Sequence, residues 1–158
     1  MRHALLVGAA LVLLAAAPPP QHGTPVPLHP QPGTELDRAA RALVADDLQN
    51  SAAHGEEPLL LLGTALLGPG HQALFVQLQS PRECGSAGCT TSVYVADHGT
   101  WTRVLDGTTG HLSVAQTRTR GMADLLTDDE HYVWTGTAYR GLQPAPAVDL
   151  RPRPARRR

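Results

Sequence analysis

The sequence predicts an α+β fold: one N-terminal amphipathic helix packed on an antiparallel β-meander of about six to seven strands. Three observations lead there. A capping-box pattern at Thr34 opens a run with apolar residues at helical spacing. Beyond Gly55 the period drops to two, in short runs separated by turn residues. The 158 residues are 42% hydrophobic but only 4% aromatic, so one modest core must be built mainly from Leu, Val and Ala.

The helix comes first. In Thr34-Glu35-Leu36-Asp37 the Thr34 hydroxyl can accept a hydrogen bond from a free helical N–H. Leu36, Ala40, Leu43, Val44 and Leu48 share one face, with Arg38, Arg41, Asp46 and Asp47 mainly off that stripe. The helix is expected to end near Asn50, before a break over Ser51–Gly55.

The strands follow. Leu59–Leu67 and His71–Ser80 are joined at Gly68-Pro69-Gly70, and Leu74, Val76 and Leu78 alternate with Phe75, Gln77 and Gln79. Thr90–Ala96 alternates again and turns at Asp97-His98-Gly99 into Trp101–Leu105, which Asp106-Gly107 ends. His111–Thr117, Met122–Thr127 and His131–Thr135 complete the series, punctuated by Gly121 and Asp128-Asp129-Glu130. The globular domain is therefore placed at residues 34–142.

The flanks differ in character. Met1-Arg2-His3 and the uncharged run Ala4–Ala17 read as a secretory signal peptide over residues 1–17, too short to span a bilayer. Pro18 leaves the cleavage point open. Residues 18–33 hold seven prolines and two histidines and read as an extended, disordered linker. Residues 143–158 form a Pro/Arg-rich tail carrying five of the 13 basic residues, all of which are arginine. Between Thr34 and Arg140 seven arginines face 13 acids, a balance of −6, so the net charge of −1 hides an acidic domain with a basic tail. The formal net charge of −1 argues against a nucleic-acid binder driven by bulk charge. The tail suits an anionic envelope polymer or lipid headgroups, or is a solvated extension, since no aromatic residue accompanies its charges.

Cys84 and Cys89 are the only cysteines. In an exported chain the pair is expected to form a structural disulfide, placing the protein in the periplasm or outside the cell. A redox motif usually has two residues between its cysteines beside a helix start; here four intervene and a strand follows. A metal site would need further ligands at suitable spacing.

The pattern Cys84-Gly85-x-x-Gly88-Cys89, Val93-Tyr94-Val95, Trp101-x-x-Val104, Thr117-x-Thr119-x-Gly121-x-x-Asp124-Leu125 and Tyr132-x-Trp134-x-Gly136-x-x-Tyr139 resembles small exported bacterial domains of uncharacterised function. In those, a glycine-rich Cys pair opens a strand meander like one or two propeller blades. The resemblance covers roughly residues 72–140. It implies a fold and a compartment but no activity, and the strands are too few to close a propeller.

No compact catalytic set stands out. His54, His71, His98, His111 and His131 form no helical His-x-x-x-His pair, and Asp128-Asp129-Glu130-His131 reads as a solvated hairpin turn. Ser80, Ser86, Ser92 and Ser113 lack a nucleophile elbow. The expected function is a non-catalytic binding or interaction module of the cell envelope, with no cofactor or metal. An envelope hydrolase and an inhibitor of a cell-wall hydrolase such as lysozyme are the alternatives. Candidate binding residues are Ser86, displayed on the disulfide ring, and Arg118 with Arg120, which point the same way on an extended segment unless Asp124 engages them. The expected partner is an envelope protein or an anionic envelope polymer, with no nucleic acid and no transmembrane segment.

The short Cys84–Cys89 loop sets a first prediction. Reduction should lower the unfolding free energy by about 2 kcal/mol on the chain-entropy model, read as an earlier urea midpoint at unchanged slope.

Overall fold

The computed structural model describes residues 23–142, so the expected signal peptide over residues 1–17, residues 18–22 of the expected linker and the 143–158 tail lie outside the described residues. The elements run β1 Gly23–Pro25, α1 Glu35–Leu43, α2 Ala45–Ala53, β2 Leu59–Gly68, β3 His71–Gln79, β4 Cys84–Gly85, β5 Gly88–Cys89, β6 Thr91–Asp97, β7 Thr100–Thr108, β8 Ser113–Thr119, β9 Met122–Leu126, β10 His131–Trp134 and β11 Tyr139–Gly141. The architecture is α+β and dominated by antiparallel sheet.

Two corrections concern the helix and the sheet. The single expected helix is two, α1 and α2. Val44, buried at 4% exposure, leaves helical geometry at φ −111 and ψ 26 between them. The helical segment also runs past Asn50 to Ala53. The true stop is Gly55 at φ +74, whose N–H bonds back to the Ala52 carbonyl while Glu56 N–H bonds to that of Ser51. At the other end the Thr34 hydroxyl accepts from Asp37 N–H at 3.1 Å, as its position predicted. The Asp37 carboxylate in turn accepts from Gly33 N–H and pairs with Arg41.

The expected single meander divides into a four-stranded sheet, β2-β3-β6-β7, and a five-stranded sheet, β1-β8-β9-β10-β11, with β4-β5 a separate ribbon. The reason is the two-sided burial of the four-stranded sheet. On one face Leu60, Leu62, Leu74, Val76, Leu78 and Tyr94 pack against Ala40 and Val44, with Leu36, Leu43 and Leu48 alongside. On the other, Leu67, Ala73, Phe75, Val93 and Val95 pack against Met122, Leu125, Tyr132 and Tyr139 of the five-stranded sheet. The layers are thus helices, sheet and sheet. The stretch likened to propeller blades forms parts of two facing sheets and the ribbon.

Order begins before Thr34. In the described part of the expected linker, β1 pairs with β8 of one sheet, and His29 then bridges Leu62 of β2 in the other. Between Pro25 and Pro30 the N–H groups remaining are on Val26, Leu28 and His29. Val26 donates to the Leu112 carbonyl and His29 to that of Leu62, so this proline-rich strap ties two sheet edges together. Composition suggested disorder because proline is rare in strands, but edges tolerate it.

The strap lies so close to β2 that a Cβ on Gly63 would sit 2.7 Å from the Pro27 carbonyl oxygen and 2.8 Å from Leu28 Cδ2. Gly63→Ala is therefore expected to destabilise the fold by about 1–3 kcal/mol. Amide exchange should speed up first at Val26 and His29; unchanged protection there would refute the contact.

Candidate functional site

On β3, residues 73, 75, 77 and 79 share one face. Ala73 and Phe75 fill the core between the sheets, but Gln77 and Gln79 continue the same face into a cleft of about 740 Å³. The cleft is therefore the wedge where the inter-sheet core stops. Its floor is Pro25, Val26 and Leu28 of the strap with Leu112, and its walls are the β4–β5 ribbon and two loops.

The ribbon is short by necessity. Cys84 pairs with Cys89 and Gly85 with Gly88, leaving Ser86-Ala87 as the turn, and the two cysteines are disulfide-bonded. Its base is tied down by Cys84 N–H to the Ser80 carbonyl and Thr90 N–H to that of Glu83. Gly88, at φ +106, lies where a Cβ would approach Gly110 N at 3.2 Å. Gly110, at φ +88, has its own Cβ position 3.1 Å from Asp128 Oδ2. Two glycines thus let the ribbon, the β7–β8 loop and the β9–β10 turn stack directly.

That last turn, Thr127–Glu130, closes through Thr127 N–H to the Glu130 carbonyl, with Glu130 N–H donating to Thr127 Oγ1. The Tyr132 hydroxyl, kept protonated by burial, donates to Glu130 Oε2 at 2.5 Å and lies 2.7 Å from Thr108 Oγ1. The turn is thereby pinned to β7. Asp128 and Asp129 both line the cleft beside it. Asp128 accepts from His111 N–H at 3.3 Å and pairs with His111 Nδ1 at 3.2 Å. The backbone hydrogen bond from His111, then the ring, holds the Asp128 carboxyl below its ordinary value of 3.8. On the β3 wall Gln79 donates to Gln77 and Gln77 to Thr91, a buried hydroxyl, at 3.0 and 2.9 Å.

Of the candidate binding residues, Ser86 lines this cleft and Arg118 and Arg120 do not. Arg118 Nη1 donates to the Leu67 carbonyl at 3.0 Å, and Arg120, in the β8–β9 turn at φ +52, donates to that of Thr135 at 2.7 Å. The two guanidinium groups thus bind separate carbonyls instead of forming one fork. The Asp124 partner anticipated for them is bound instead by His131 Nε2 at 3.2 Å, and Asp124 is 3% exposed. Among the histidines of the domain only His111 reaches the cleft. His54 caps α2 through the Asn50 carbonyl, and His98 projects from the β6–β7 turn into solvent.

In sequence, Asp128 and Asp129 carry only the signature of a solvated turn, with nothing to join them to His111 or Ser86. His111 and Asp128 are 17 residues apart, on different loops, and no spacing rule connects them. Gln77 and Gln79 were visible only as the polar half of an alternation.

The cleft offers carboxylates, amides, one hydroxyl and an imidazole above an apolar floor. No Arg lines it. With Nδ1 engaged by Asp128, His111 Nε2 is the atom left to move a proton. Among the described residues no group of three or more His, Cys, Asp or Glu is placed to hold a metal ion. No helix among them is long and apolar enough to cross a membrane.

Comparison with known proteins finds no family model, no curated protein and no solved structure that matches the chain.

The Asp128 environment makes a measurable forecast. Because its carboxyl is held low in the folded protein, the stability it adds is present above pH ~4 and lost as pH falls through its folded value. Carboxyl-carbon NMR should show Asp128 titrating below the ordinary 3.8, and His111→Ala should remove only part of that depression, since the backbone N–H remains. An Asp128 midpoint at or above 3.8 would contradict the geometry.

Proposed function

We propose that this chain is an exported, non-catalytic binding module of the cell envelope and that its ligand occupies the cleft at the open end of the two sheets. The observation that carries this reading is the disulfide ribbon displaying Ser86 over a preformed cleft of about 740 Å³, within the size range of small-ligand and peptide sites. Rigid loops on a β scaffold are the usual carriers of recognition. The disulfide suits an oxidising compartment, and the signal-like start supports export. The polar groups of the cleft are mostly acceptors and amides with no positive side chain, which favours an envelope protein presenting a basic or amide-rich segment over an anionic polymer.

A hydrolase is the second reading, favoured by one observation: the Asp128–His111 pair stands in the cleft that Ser86 lines. Against it, the His111 side chain is 94% exposed, where water competes with any reacting group.

Ser86→Arg would project a long cationic side chain at the cleft mouth without removing either cysteine. Capture of an envelope protein by the native chain is expected to fall at least tenfold with Ser86→Arg and to persist with Arg118→Ala. Capture indifferent to Ser86→Arg would overturn the cleft as the binding site. Turnover of a chromogenic ester that is lost in both Ser86→Ala and His111→Ala would transfer the assignment to the hydrolase.

A further inference from the structure

The described chain ends beside the acidic rim of the cleft. Leu142 N–H donates to the His131 carbonyl at 2.7 Å, and Gly141 pairs with Tyr132 and lies against the Glu130 side chain. His131 and Glu130 directly follow Asp128-Asp129, two carboxylates of the cleft. From this point eight residues lead to Arg151-Pro152-Arg153-Pro154-Ala155-Arg156-Arg157-Arg158. Extended, those eight span up to about 30 Å, enough to cross the cleft mouth. The tail holds five positive charges and no acid after Asp149, and it leaves a domain whose balance is −6.

From this juxtaposition we propose that the Arg-rich segment 151–158 is the cleft's own intramolecular occupant, docking on Asp128 and Asp129 and competing with the external ligand. The proposal rests on the cleft being the binding site argued above and adds its regulation. Guanidinium groups form paired hydrogen bonds with carboxylates, and Asp128 keeps one oxygen, Oδ1, beyond the Oδ2 that His111 engages. Proline has few backbone conformations to lose, so Pro152 and Pro154 lower the entropy cost of docking. Tethering sets an effective concentration near the millimolar range, so even weak affinity fills the site in cis. The contact is electrostatic and must yield to salt.

The test uses the full chain, a variant with Arg151, Arg153, Arg156, Arg157 and Arg158 all replaced by Ser, and a synthetic peptide of residues 151–158 as probe. At low salt the peptide is expected to bind the Arg→Ser chain at least ~10-fold more tightly than the native chain, whose site is already filled. Before any peptide is added, the Gly110 and His111 amides should differ in chemical shift between the two chains. High salt, or Asp128→Asn with Asp129→Asn in each chain, should erase both effects. Equal peptide affinity, no peptide binding, or shifts confined to another face would overturn the proposal. A native shift that grows with protein concentration would place the tail in a second copy's cleft and overturn the intramolecular form. If both chains capture the envelope partner equally while Ser86→Arg does not, the tail is excluded and the cleft stands; if Ser86→Arg also captures it, the cleft itself has failed.

Discussion

Burial of both faces of β3 is the constraint on which the rest depends. Leu74, Val76 and Leu78 point one way and Ala73 and Phe75 the other, and neither set tolerates water. One sheet face can be covered by helices, and α1 and α2 do so with Ala40 and Val44. The second face needs another layer, which the chain supplies from its own later strands. The same strand then fixes where that layer ends. At Gln77 the inward face turns polar, the core stops, and the cleft begins. Packing and site are therefore two consequences of one alternation, apolar to Phe75 and amide-bearing beyond it.

Much of this was legible in the residues. The Thr34 cap, the Leu/Val stripe, most strand positions, the turns at Gly70 and Gly99 and the Cys84–Cys89 bond all follow from local chemistry, where neighbours in sequence decide the outcome. What escaped was non-local. Whether successive hairpins continue one sheet or fold back as two depends on which faces are apolar on both sides. Phe75 alone, in a chain poor in aromatics, was thin evidence of a second buried face. β1 and β11 have three residues each, and the ribbon strands only two, below the length at which alternation can be recognised.

The site divides the same way. Ser86 lies in the turn of the ribbon, a position legible because its two flanking cysteines are close in sequence. Arg118 and Arg120 were read as a pair because they are two apart on an extended segment. Arg118 lies at the end of β8, but Arg120 turns into left-handed geometry at φ +52, and each guanidinium caps a carbonyl from a distant element. His111 and Asp128 carry no signature separately. Their meeting depends on Gly110, which has no side chain to hold the loops apart.

The proline strap has a consequence beyond closing the sandwich. Open sheet edges are templates on which identical chains can polymerise. Here one margin of each sheet is occupied by a segment whose outward positions include Pro25 and Pro27, which offer no N–H to a newcomer. The fold thus carries its own guard against fibril growth, written in residues that look, by composition alone, like mere spacer.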